Sequence, residues 1–85
     1  MSGTIQIEIY SRPNCHLCDE AKDTIERVRR RYPFSLRVIN IEEDPALEAE
    51  YGTQIPVIFI NGNKVFKCRF DEVDLEKKVK RLWKK

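Results

Sequence analysis

The chain has 85 residues, with 16 Lys and Arg against 14 Asp and Glu and a formal net charge of +2. One domain over residues 1–85 is expected, because a chain this short buries roughly 60–65% of its extended surface around a single core. A nucleic-acid-binding domain is normally far more basic, and no apolar run approaches the ~18 residues of a membrane span. Arg29-Arg30-Arg31 and the basic run at 77–85 therefore read as solvated helix ends, where cations suit the helix dipole. The N-terminus lacks a charged region followed by an apolar one, so no secretory signal is expected. Three cysteines are odd in number and too few for a secreted disulfide scaffold, which favours a reducing cytoplasm.

Residues 4–10 alternate Ile5, Ile7 and Ile9 with polar or aromatic neighbours, the period of a strand. Ser11-Arg12-Pro13-Asn14 is a turn, with Asn14 expected to cap the next helix. Over 15–32, Leu17, Ala21, Ile25, Val28 and Tyr32 recur at helical spacing until Pro33 stops the helix. Residues 34–41 are rich in apolar and β-branched side chains and predict a second strand. Asp44-Pro45 is a helix cap followed by proline at the first helical position, and Gly52 a stop, so 45–51 is a short helix. Residues 57–60, Val-Ile-Phe-Ile, are apolar on both faces, as a central strand is. Asn61-Gly62 predicts a tight hairpin turn into a last strand over 64–68. Asp71 is expected to cap the final helix, with Phe70 and Leu75 as a hydrophobic staple. Leu75, Val79 and Leu82 form its buried stripe, with Trp83 beside it. The order β-α-β-α-β-β-α implies a parallel, right-handed first unit and an antiparallel closing hairpin. The expected fold class is α/β, a four-stranded mixed sheet with helices on both faces.

Cys15-His16-Leu17-Cys18 carries the chemistry. Two thiols three positions apart share one helical face, so their sulfurs can close a small disulfide ring. A strand, a turn and a helix opening on C-x-x-C reads as a redox dithiol. Cys15 sits where unpaired helix N–H groups favour a thiolate, which makes it the candidate nucleophile; Cys18, one turn deeper, is the candidate resolving thiol. His16 is a candidate to tune Cys15 as a nearby cation, or a plain exposed residue. Arg12 is a candidate to stabilise a thiolate or bind a substrate carboxylate, or a surface charge of the turn. Tyr10 reads as packing, and Asp19 and Glu20 as structural. Cys68 is expected to be a small buried hydrophobe, with a third redox thiol as the other reading. Cys15, Cys18, His16 and Cys68 would supply enough ligands for zinc. No second C-x-x-C is present, and adjacent Cys15 and His16 do not easily share one ion with Cys18, so no metal site is expected.

Three segments together resemble the glutaredoxin-like branch of the thioredoxin fold. They are Tyr10-Ser11-Arg12-Pro13-Asn14-Cys15-His16-Leu17-Cys18, Gln54-Ile55-Pro56-Val57, and Phe59-Ile60-Asn61-Gly62. The first is similar to small glutaredoxin-like proteins with a C-H-L-C-D-E-A run. The second matches a T-V-P segment whose proline is cis, which implies a cis Pro56. It also implies that Ile55 offers its backbone to an extended substrate at the site. Arg12 matches the basic residue three before the first cysteine. Glutaredoxins usually carry Pro-Tyr between the cysteines, where this chain has His16-Leu17. They also carry Gly-Gly before the last helix, which makes room for glutathione. The corresponding stretch here is Phe66-Lys67-Cys68-Arg69-Phe70-Asp71, with Phe66 and Lys67 expected to crowd that pocket.

The expected function is that of a thiol–disulfide oxidoreductase of glutaredoxin-like type. It needs no bound cofactor, only an external thiol reductant, glutathione or thioredoxin-type. The expected partners are disulfide-containing proteins or small thiol substrates and a reductase, with no nucleic acid and no membrane, acting on a monomer in the cytoplasm. A non-enzymatic binding module using the Pro56 groove and a metal-binding dithiol protein remain the alternatives.

Overall fold

The computed structural model describes residues 5–83. Strand β1 (Gln6–Ser11) is followed by helix α1 (His16–Arg31), strand β2 (Ser35–Asn40), a 3-10 turn (Ile41–Glu43) and helix α2 (Pro45–Tyr51). Strands β3 (Val57–Ile60) and β4 (Asn63–Lys67) and helix α3 (Glu72–Leu82) complete the chain. The sheet order is β2-β1-β3-β4, with β1 parallel to β2 and antiparallel to β3, and β3 antiparallel to β4. This is the expected four-stranded mixed sheet. Thr4, included in the first predicted strand, lies outside the described residues. No described helix is long and apolar enough to cross a membrane.

Alternation along β1 divides the molecule into two layers of contact. Ile7 and Ile9 point to one face and join Ile58 and Ile60, Ala21, Ile25 and Val28 of α1, and Leu75 and Val79 of α3 in the core. Tyr10 points to the other face, where its ring meets Tyr51 of α2 at 5.1 Å and Phe59 of β3 at 5.0 Å. Helices thus cover both faces. The β3–β4 turn puts Asn61 and Gly62 at φ of 52° and 85°, the left-handed pair that a tight hairpin needs. The Asn61 Oδ1 also accepts the Gln6 N–H at 2.9 Å, tying the turn to the start of β1.

Several expected details are corrected. The buried face of α1 runs Cys18, Ala21, Ile25 and Val28, so Cys18 takes the place expected for Leu17, which is only half-buried. Ile41 opens the 3-10 turn, ending β2 one residue early. Gly52 does close α2 after Tyr51, as expected, at a φ of −56° that does not use its freedom to adopt positive φ. Asp71 stands at the N-cap of α3, but its side chain makes no cap bond. Leu82 is 39% exposed rather than buried, because α3 ends there and only Trp83 turns back, onto Tyr32 at 5.7 Å. Arg31 is not a free solvated charge: with Arg27 it grips Glu72, and it also bonds Glu76, tying α1 to α3.

Candidate functional site

The turn after β1 builds the site. Asn14, expected as the helix cap, instead takes a left-handed φ of 61°, a conformation that asparagine tolerates better than most residues. That reversal moves the cap one residue on. Cys15 is extended, and its Sγ accepts the Cys18 N–H at 3.3 Å, in the position a serine hydroxyl would fill at an ordinary N-cap. Its carbonyl accepts the Asp19 N–H at 3.1 Å. The Cys15 sulfur is therefore half-buried at the positive end of a 16-residue helix, bonded to one of the helix's unpaired donors.

Cys18 has the opposite surroundings. It is 0% exposed, the first residue of the apolar stripe of α1. Burial pushes its thiol up to about 12, helped by the hydrogen bond between the two thiols and opposed by the Arg12 peptide N–H and by Lys22. The inner residue thus meets the outer sulfur through its backbone N–H, and its own thiol is held protonated. The repeat 18-21-25-28 in the helical pattern is the sequence signal for this burial.

The other candidates fall into place unevenly. The His16 ring bonds Glu20 at 2.8 Å along the exposed face of α1. The Arg12 guanidinium turns toward α2, donating from Nη2 to the Gly52 carbonyl at 3.3 Å and lying 3.6 Å from Glu48. Pro56 is buried behind a cis Ile55–Pro56 peptide, and Ile55 is half-buried. Among the described residues, no main-chain bond engages the Ile55 N–H or carbonyl. Tyr10 packs in the aromatic cluster, and burial raises its phenol above 10.0.

Cys68 corrects the expectation of a buried hydrophobe: it is exposed, just past β4, with φ 65°. The chain must reverse there to reach α3. The Cys68 N–H bonds both the Gln54 and Pro56 carbonyls, at 3.0 and 2.9 Å, and its thiol lies 3.6 Å from Gln54 O. Gln54 and Cys68 therefore hold the proline bend, a link the sequence did not announce. Phe66 and Lys67, expected to crowd a pocket, belong to β4, where Phe66 stacks on Phe70 at 5.1 Å. A groove of about 180 Å³ between α1 and the start of α3 is instead lined by Cys68, Arg69, Phe70 and Asp71 opposite Leu17 and Ala21. Among the described residues, no three His, Cys, Asp or Glu side chains gather as a metal site would require.

This arrangement has clear relatives. Residues 6–80 match the Glutaredoxin-like domain (DUF836). A protein named thioredoxin from Methanocaldococcus jannaschii is 37% identical over 65 residues, 73% of this chain and 76% of that one. The X-ray structure of the structural-genomics target XcR50 from X. campestris superposes with a TM-score of 0.76 at 29% identity, covering 88% of this chain and 96% of that one. A mutant thioredoxin from Halobacterium salinarum, at 20% identity and a TM-score of 0.68, shares the fold over 96% of this chain and 77% of its own. The match across nearly all the described residues, on the architecture these structures share, places the chain in the Glutaredoxin-like domain (DUF836) family, built on a thioredoxin fold.

Proposed function

We propose that the protein is a thiol–disulfide oxidoreductase that works through Cys15 and Cys18. One observation carries this reading: the outer sulfur accepts a helix N–H at 3.3 Å, while the inner thiol is fully buried and pushed up to about 12. The Cys15 thiolate attacks a substrate disulfide, forming one S–S bond to Cys15 and expelling the other half as a thiolate. Cys18 then gives its proton to the thiolate expelled in the first step, directly or through water, and attacks the Cys15 sulfur. The substrate leaves as a second thiolate, and the Cys15–Cys18 disulfide retains the oxidation. An external thiol reductant, glutathione or thioredoxin-type, returns two electrons to that disulfide. The free main-chain groups of Ile55 suit an extended substrate pairing edge-on beside Pro56. The substrates are disulfide-bearing proteins or small disulfides, in a reducing cytoplasm.

Trapping tests the assignment. Cys18→Ser is expected to accumulate a mixed disulfide on Cys15 when exposed to a model disulfide, and Cys15→Ser to form none at that site, both read by mass spectrometry. Equal adducts on both variants would reverse the assigned roles. Absence of turnover in the wild-type protein with either reductant would favour a binding module on the same fold.

A further inference from the structure

We propose that Arg12 is a positioning residue for the dithiol, a strut between the turn that carries Cys15 and the carbonyl end of α2, and not a receptor for substrate anions. The inference rests on the oxidoreductase reading above. Arg12 lies three residues before Cys15, where a free cation would be well placed to meet an acidic substrate. Its guanidinium is instead committed. Nη2 donates to the Gly52 carbonyl at 3.3 Å, with Glu48 Oε2 3.6 Å away. The last carbonyls of a helix lack intrahelical partners, and a cation there is stabilised by the dipole. Glu48 offsets the remaining charge.

Gly52 leaves room for the contact, although a side chain there would first meet the backbone of its own helix and only then the guanidinium. Its φ of −56° is open to any residue, so space and not backbone conformation calls for glycine. A Cβ there would stand 2.6 Å from the Glu48 carbonyl and 3.2 Å from Arg12 Nη2. The Arg12 Nε is also buried with no hydrogen-bond partner among the described residues. A surface charge without a structural task has no reason to be held in that unfavourable setting. At its other end, the Arg12 peptide N–H is one of the groups that ease ionisation of Cys18. The strut therefore fixes the 12–15 turn against α2. Its loss loosens the approach of Cys18 to the Cys15 sulfur for every substrate alike.

The test uses the full chain and three mixed-disulfide peptides that differ only in charge: acidic, neutral and basic. Arg12→Met and Gly52→Ala are both expected to lower kcat about fivefold for all three peptides with KM unchanged. Gly52→Ala does so with the arginine still present, which an anion receptor does not predict. Glu48→Gln, an exposed change that leaves the fold intact, is expected to keep KM for the acidic peptide at the wild-type value. A KM rise confined to the acidic peptide in Arg12→Met, or a KM fall for it in Glu48→Gln, would overturn the strut in favour of a receptor. Unchanged kcat in both Arg12→Met and Gly52→Ala would overturn it in favour of a plain surface charge. If the wild-type protein turns over none of the peptides, the oxidoreductase reading fails separately. The strut is then judged by iodoacetamide alkylation of Cys15: equal slowing in Arg12→Met and Gly52→Ala supports it, and the wild-type rate in both overturns it.

Discussion

Cys18 and Cys68 show how differently one residue type is used in a single small fold. Cys18 is buried, and its folded pKa of about 12 stands above its ordinary value of 9.0. Between those two values the unfolded chain gives up a proton that the folded chain keeps, so stability falls as pH rises. That contribution is fully present below pH 9.0 and is lost on the way to about 12. Urea unfolding from pH 8 upward is expected to show a steeper decline for the wild-type protein than for Cys18→Ala, by on the order of 1 kcal/mol per pH unit at most. Equal slopes would mean that Cys18 is not held protonated. Cys68 sits at φ 65° with its side chain in solvent. A non-glycine residue there is strained, and glycine is not. Cys68→Gly is expected to raise stability by about 0.5–1 kcal/mol, and Cys68→Ala to change it by less than about 0.5 kcal/mol. Denaturant midpoints decide this, and destabilisation by glycine would assign the thiol a structural role.

At the level of elements, α3 is held to α1 by charge as well as by apolar packing. Glu72, in the first turn of α3, bonds Arg27 at 2.8 Å and Arg31 at 2.9 Å, and Arg31 reaches Glu76 at 2.8 Å. The Arg31 hydrogen bond, followed by that of Arg27, lowers the Glu72 pKa below 4.5. The sign follows from that direction. The stabilisation is present above 4.5 and is lost as pH falls through the lower folded value. All four side chains are partly in water, so the gain is modest and screened by salt. Glu72→Gln is expected to be less stable than the wild-type protein at pH 7 in dilute buffer, with the gap closing below pH 4 and in molar salt. Thermal unfolding across that grid checks it; a gap that persists in acid would point to packing rather than charge.

At the scale of the whole molecule, the 68–71 connection comes to lie across a groove from α1, next to the turn of helix that carries Leu17. That connection presents Cys68, Arg69, Phe70 and Asp71 to the groove, with no glycine to let a bound backbone approach closely. Glutathione is accordingly expected to be a poor reductant for this protein. Steady-state reduction of a glutathionylated peptide with a glutathione-recycling system should give a catalytic efficiency at least about tenfold below that of a C-P-Y-C glutaredoxin, a ~1.4 kcal/mol difference in transition-state binding. Comparable efficiency would show that these side chains move aside or lie off the binding path.

Local patterns were enough for the element order and the sheet class, and for putting two cysteines at the start of α1. Period two over Ile5, Ile7 and Ile9, the Asp44-Pro45 helix start and the Asn61-Gly62 turn each act within a few residues, so they are legible in the chain. The C-x-x-C spacing is equally local. Where neighbours along the chain do not set a residue's surroundings, the tertiary structure decided them. Asn14 yielded the helix cap to Cys15 because the turn leaving β1 had to reverse direction. Leu82 lost its place in the core because α3 ends there and Trp83 takes the packing against Tyr32 instead. Cys68 became exposed because the route from β4 to α3 passes over the proline bend. Arg12 met Glu48 and Gly52, the latter 40 positions away, only because α2 packs behind the dithiol turn. Burial and long-range partnership depend on which elements meet, and a one-dimensional pattern records only which face of each element is apolar.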